Sequence, residues 1–178
     1  MSRIGREVIT IPAGVTVDVN GNVVTVSGPL GTLSQEIFNK LSVEIEGNTL
    51  TVKNNSTNSK DKAYHGLYRQ LINNMVVGVS KGYEKKLNVN GVGYKITQNG
   101  ADLVLNIGFS HPVEVKATEG IKLSCDKNTI TVSGISKEKV GQVAAQIKSI
   151  KPVEPYHAYG IHYADEVVVR KEIKSGKK

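Results

Sequence analysis

Tyr156, His157, Tyr159, His162 and Tyr163 stand within eight positions near the C-terminus, three of the seven tyrosines and two of the four histidines of the chain. Flat rings stack on nucleobases, and an imidazole either stacks or, once protonated, pairs with phosphate. Five fixed cations follow, Arg170, Lys171, Lys174, Lys177 and Lys178, which could neutralise phosphates. Pro152 and Pro155 mark the start of this tail, Gly160 interrupts it, and no helical period runs through residues 152–163. Such a segment is expected to be irregular, to bury no apolar face of its own, and to meet a partner; nucleic acid is the leading candidate. Residues 155–163 contain no Lys or Arg, so the centre reads as a stacking and shape-fitting element ahead of an electrostatic tether. Asp165, Glu166 and Glu172 alternate with the cations, which leaves a second reading of residues 167–174 as a solvated face with weak ion pairs.

Other chemistries find less support. The chain has no G-x-S-x-G elbow and no G-x-x-x-x-G-K-[ST] phosphate loop. Gly91-Val92-Gly93 lacks the later glycine of a dinucleotide site and runs into a strand-like Tyr94-Lys95-Ile96-Thr97. Its glycines either admit RNA beside Lys95 or serve a bulge or bend. Gly28-Pro29-Leu30-Gly31 reads as a turn. Cys125, the single cysteine, reads as a small core residue of a strand and fits a reducing compartment. The histidines show no zinc-ligand spacing: His65 lies by an apolar helix face, and Ser110-His111-Pro112 reads as a tight turn. The reading is therefore no enzyme, no cofactor and no metal.

The elements that would position these residues belong to an ordinary globular chain. It has 178 residues, 39% hydrophobic and 22% charged, with no run apolar enough for a membrane span and no apolar core of a secretory signal at its start. The net charge of +7 is regional. Residues 53–95 hold eight Lys/Arg, Arg69, Lys85, Lys86 and Lys95 among them, against Asp61 and Glu84, whereas residues 11–52 carry a net −3. An excess confined to part of a chain suits a face that binds a polyanion. An acidic protein partner would suit it as well.

A repeat sets the architecture. Asn48-Thr49-Leu50-Thr51-Val52 returns eighty positions later as Asn128-Thr129-Ile130-Thr131-Val132, each alternating like a half-buried strand. Each copy precedes an amphipathic helix. In the first, Tyr64, Leu67, Tyr68, Leu71, Ile72, Met75, Val76 and Val79 share a face; in the second, Val140, Val143, Ala144, Ile147 and Ile150 do. Ser136 is the expected N-cap of the second, and Lys151-Pro152 should end it. The helices align at an offset of 75, so the first connector is about five residues longer, within the polar stretch 54–59. Turn signals at Asn20-Gly21-Asn22 and Asn99-Gly100 separate strand pairs 15–19/23–26 and 94–98/103–107. The expected fold is α+β: two tandem homologous domains, 1–82 and 83–178, each a mainly antiparallel sheet covered by one helix. An irregular basic tail, 152–178, closes the chain.

Several stretches resemble one family. Met1-Ser2-Arg3-Ile4-Gly5, Val26-Ser27-Gly28-Pro29-Leu30-Gly31, His65-Gly66 leading to residues 71–79, Gly91-Val92-Gly93-Tyr94-Lys95, Ser110-His111-Pro112, Pro155-Tyr156 and Tyr163-Ala164-Asp165-Glu166 are similar, in order, to bacterial large-subunit ribosomal protein L-six. The resemblance implies two homologous α+β domains and a structural role in the large ribosomal subunit. It also implies contact with large-subunit rRNA near the stalk base and the sarcin–ricin loop, neighbouring ribosomal proteins at the stalk base, and a place in cytoplasmic ribosomes. No membrane and no small-molecule substrate enter. The family's tail motif P-Y-K-G-K-G-I-R-Y reads Pro155-Tyr156-His157-Ala158-Tyr159-Gly160-Ile161-His162-Tyr163 here, so three cations have become two histidines and a tyrosine. Val169 and Ile173 replace what are typically Arg and Gly. The expected RNA-binding set is Arg3, Arg69, Lys85, Lys86, Gly91, Gly93, Tyr94, Lys95, Ser110, His111, Tyr156, His157, Tyr159, Gly160, His162, Tyr163, Arg170, Lys171, Lys174, Lys177 and Lys178.

Overall fold

A computed structural model of the chain describes residues 3–56, 58 and 61–172. Two compact units emerge, Met1–Tyr83 with Ile135–Lys137, and Glu84–Gly134 with Glu138–Lys178.

The first unit begins with one helical turn, α1 (Arg3–Arg6), and a short strand, β1 (Ile9–Thr10). Strands β2 (Thr16–Asn20), β3 (Val23–Gly28) and β4 (Gly31–Glu36) form an antiparallel meander. Its first turn uses Gly21 at φ 59°, left-handed backbone that glycine adopts without a Cβ clash. A hairpin of β5 (Leu41–Glu46) and β6 (Thr49–Asn54) takes β1 on its other edge, giving the order β1-β6-β5. In β6 the period of two is plain: Leu50 and Val52 are buried, while Thr49 and Thr51 are half-buried. They share one core with Val24 and Val26 and with Ile72, Val76 and Val79 of helix α2 (Asp61–Ser80). Each fully buried aliphatic side chain of this kind contributes roughly 1.5–3 kcal/mol.

Helix α2 obeys the expected face only in its second half. Ile72, Met75, Val76 and Val79 are buried, but Tyr64 and Leu67 are exposed. The first half buries Asp61, His65 and Arg69 instead. Asp61 is held by Ser56 and Lys40, and the N-terminal segment covers His65 and Arg69. Gly5 lies so close to His65 that a Cβ there would stand 2.6 Å from the imidazole. Arg69 donates to the carbonyl oxygens of Glu7 (3.1 Å) and Val8 (3.4 Å) and pairs with the Glu7 carboxylate at 3.3 Å. His65 Nε2 donates to the Val52 carbonyl at 2.7 Å. Irregular backbone laid on a helix needs donors for its carbonyls, so polar side chains win these positions over apolar ones.

The second unit repeats the plan. Strands β7 (Tyr83–Asn90), β8 (Lys95–Asn99), β9 (Asp102–Asn106), β10 (Val113–Val115), β11 (Ile121–Asp126) and β12 (Thr129–Gly134) precede α3 (Lys137–Ile150). The sheet β10-β9-β8 mirrors β4-β3-β2, and β7-β12-β11 mirrors β1-β6-β5. Ser136 directly precedes α3, and Val140, Val143, Ala144 and Ile147 are buried as the periodicity predicts. The connector between strand and helix spans residues 55–60 in the first unit and only 135–136 in the second. Cys125 ends the inward row Ile121, Leu123, Cys125 and is half-buried, at the rim of the core rather than within it. The fold is α+β, two halves each built of antiparallel sheets packed against one helix.

The tail departs from the expected irregular course. Residues 160–163 form β13, antiparallel to β7, which extends the sheet to β11-β12-β7-β13. Gly160, Ile161 and His162 are buried there. A strand at a sheet edge presents unpaired N–H and C=O groups, and a short segment with one large apolar residue, Ile161, can satisfy them. A four-residue strand is too short to announce itself by periodicity.

Candidate nucleic-acid interface

The tail is fastened before it offers anything to a partner. Asn90 faces Gly160 and Leu87 faces Tyr163 across the ladder. Outside it, Ile161 donates to the Lys151 carbonyl (2.8 Å), Glu154 to the Tyr159 carbonyl (2.9 Å) and Ala164 to the Lys86 carbonyl (2.9 Å). The loop ahead of β13 turns through Ala158 at φ 60° and Gly160 at φ 140°. A Cβ on Gly160 would stand 2.7 Å from the Pro152 oxygen and from Val153 Cα. Gly160 therefore closes the loop. Ala158 occupies left-handed backbone where the family motif carries glycine, yet its methyl is buried.

Rings and cations converge around this strand. The ammonium groups of Lys85 and Lys148 lie 5.3 and 4.8 Å from the centroid of Tyr163. Lys148 also pairs with Glu166 at 2.7 Å, and the Tyr163 amide donates to the same carboxylate at 3.1 Å. The hydrogen bond from Lys148, then that from Tyr163, hold the Glu166 carboxyl below its usual range, against the opposing effect of desolvation. Lys85 approaches Asp165 at 4.0 Å and Lys86 pairs with Glu84 at 3.2 Å, both exposed on β7. His157 stacks on Tyr159, centroids 5.3 Å apart and planes 18° from parallel, and its Nδ1 donates to Glu154 at 3.0 Å. Tyr156, His157 and Tyr159 are exposed, as are Arg170 and Lys171. His162 differs: it is buried, and its Nδ1 has no hydrogen-bond partner among the described residues. Its inward direction follows from the strand that sequence reading did not foresee.

A second group forms around Tyr94, half-buried beside the exposed Lys95. A Cβ on Gly91 would stand 2.4 Å from the Tyr94 ring, and one on Gly108 would stand 3.4 Å from it. Gly91 thus makes room for its own neighbour's ring, and Gly93, at φ 76° with open space around it, makes the turn. Ser110 and His111 are exposed in the loop that follows Gly108. Phe109 stands there as well, with Lys151 Nζ 4.8 Å from its centroid and the His111 ring 6.5 Å away. Phe109, Lys148 and Lys151 were missed by sequence reading. Lys151 read only as a helix stop, and nothing in local spacing could join it to Phe109.

In the first unit Arg3 is exposed on α1. Arg69 is only 8% exposed, and its guanidinium donates to the Glu7 and Val8 carbonyls and to the Gln70 side chain. An acid from elsewhere also offsets part of the excess of residues 53–95: Lys53 meets Glu44 at 2.5 Å. Lys174, Lys177 and Lys178 lie outside the described residues. Among the described residues no group of three or more His, Cys, Asp or Glu side chains converges as a metal site would require, and no helix is long and apolar enough to cross a membrane.

Comparison with known proteins decides the family. Ribosomal protein L6 matches residues 11–82 and 90–164. The chain belongs to the ribosomal protein L6 family. It is 52% identical over 178 residues to "Large ribosomal subunit protein uL6" of Staphylococcus carnosus, covering 99% of this chain and 100% of that protein. Proteins of the same name from Staphylococcus epidermidis and Listeria welshimeri are 51% and 50% identical over the same shares. As an L6-family member the chain is a structural protein of the large ribosomal subunit, part of the translation apparatus, in the cytoplasm with the ribosome, and not an enzyme. The two blocks matched by the family fall on the two repeated halves.

Proposed function

We propose that this chain binds large-subunit rRNA near the stalk base and the sarcin–ricin loop, beside other ribosomal proteins, and so supports subunit assembly and translation. Residues 1–82 and 83–178 serve as its N- and C-terminal domains, with 152–178 as the RNA-binding tail. The observation that carries this reading is the clustering of exposed rings and cations on a tail fastened to the second unit's sheet. A-form RNA hides its base edges in a narrow major groove, so backbone neutralisation, shape fit and stacking dominate. Lys85, Lys86, Lys95, Arg170 and Lys171, with Arg3 and the terminal Lys174, Lys177 and Lys178, supply phosphate contacts. Tyr156, His157 and Tyr159 offer ring faces, and Ser110 and His111 offer polar contacts at a loop. Tyr94, Tyr163, Gly91, Gly93, Gly160, His162 and Arg69 shape the supporting backbone.

The test is binding of the full-length protein to a large-subunit rRNA fragment across a salt series. With about six phosphates engaged, raising salt from roughly 50 to 200 mM weakens binding about a thousandfold. Salt-independent binding refutes the reading. Within it, Tyr159→Leu weakens binding more than His157→Gln where stacking leads, and the order reverses where charge leads.

A further inference from the structure

Phe109 is one of only two phenylalanines in the chain and stands 43% exposed in a loop. Single exposed apolar side chains are ordinary. This one is held out by design of the loop. On its N-terminal side Ile107 is 1% exposed, an anchor in the core. Gly108 turns at φ 80° and rests against the Tyr94 ring, which is itself lodged over Gly91. The backbone under Phe109 is thus set by two glycines and one ring. Lys151 is anchored in turn, since its carbonyl accepts from the Ile161 amide at 2.8 Å. Its ammonium sits 4.8 Å from the Phe109 centroid, within cation–π range. The His111 ring is nearly parallel to Phe109, 22° off, but its centroid is 6.5 Å away, too far for the two rings to cover each other fully.

We infer that Phe109 and Lys151, flanked by His111, form a receptor for one unstacked nucleobase and its phosphate. The inference rests on the RNA-binding reading and gives it a specific pocket. An exposed ring on fixed backbone offers a stacking face at little entropic cost, and the ammonium held over the ring at 4.8 Å is within reach of the phosphate that accompanies any stacked base. The neighbouring surface suits the same ligand: Lys95 is exposed beside Tyr94, and Ser110 places a hydroxyl 3.4 Å from His111 Nδ1. The same surface would repel a basic partner. RNA sites of this kind take bases splayed from loops or bulges rather than paired ones.

The experiment compares full-length wild type, Phe109→Leu, Phe109→Trp and Lys151→Met for binding to a large-subunit rRNA fragment over a salt series, with base-specific chemical footprinting. Phe109→Leu is expected to weaken binding by about tenfold or more without changing the salt slope, and to expose one nucleobase to the reagent. Phe109→Trp keeps affinity and protection. Lys151→Met reduces the slope by about one. Thermal melts establish that each variant is folded. Wild-type binding with Phe109→Leu equal to wild type overturns this inference alone. Loss of affinity with an altered slope but no newly reactive base also overturns it. Failure of the wild type to bind in a salt-dependent manner removes the RNA reading itself.

Discussion

The two halves share one plan and differ in how each uses a chain terminus. In both, a hairpin and a third strand form a sheet, a three-stranded meander forms another, and one helix packs on them. In the first half the N-terminal segment lies along α2 and is held by buried polar side chains, Arg69 to two carbonyls and His65 beneath Gly5. In the second half the C-terminal segment joins the sheet as β13 and is held by a backbone ladder and by Ile161 in the core. The first arrangement commits the segment's Glu7 and Val8 carbonyls to a buried side chain of α2. The second pairs backbone with backbone and leaves Tyr156, His157, Tyr159, Arg170 and Lys171 facing outward. Duplication provides the scaffold; the way a terminus is fastened decides which half keeps its rings and cations available.

The comparison breaks most sharply at the glycines. Gly160→Val combines a left-handed φ with a Cβ 2.7 Å from rigid backbone, whereas Gly5→Val meets only a side chain at 2.6 Å. Backbone strain and overpacking together cost about 3 kcal/mol or more at Gly160, and overpacking alone about 1–3 kcal/mol at Gly5. Hydrogen exchange should show the β7 amides opposite β13 losing protection in the first variant and the N-terminal segment losing it in the second. Unchanged protection of β7 in Gly160→Val would sink the account of tail closure.

Arg69→Met comes next. Losing charge-assisted bonds to the Glu7 and Val8 carbonyls costs about 1.5–3 kcal/mol, read as a lower denaturation midpoint. The salt slope of RNA binding should not move, because this cation is buried and committed. A slope reduced by one would return Arg69 to the RNA-contacting set.

The smallest effect concerns Lys148. Its exposed pair with Glu166 contributes about 0.2–1 kcal/mol. Since the Glu166 carboxyl is held below its usual range, that contribution is complete above about pH 4.3 and is lost as pH falls through the lowered value. Tail docking, followed by exchange at Tyr163 and Ala164, should weaken on acidification in the wild type. In Lys148→Met most of that acid dependence should vanish, and a profile identical to wild type would show that another group controls the tail.

Much of the fold was legible in the sequence because it rests on local periodicity. The recurring Asn-Thr-Leu/Ile-Thr-Val strand, the Asn-Gly turns and the face of α3 each follow from side chains a few positions apart. The first half of α2 was misread for the same reason. Tyr64 and Leu67 fit a helical period, but which side of the helix is covered depends on residues 3–8, some sixty positions away. The candidate site divides likewise. The exposed rings and cations of the tail were readable as types, whereas the pairing of Lys151 with Phe109 and of Lys148 with Tyr163 joins residues from different elements.

By itself the sequence determined the duplicated α+β plan, the two helices, the regional positive charge and the family, because periodicity, composition and motif order are properties of the chain alone. Only the tertiary structure decided that Gly160–Tyr163 is a strand, that Arg69 and His162 face inward, and that Gly91 accommodates Tyr94. The first two share one physical reason. Each depends on which distant backbone lies alongside, and burial and hydrogen bonding to that neighbour outweigh the tendency of a histidine, an arginine or a short irregular segment to remain in water.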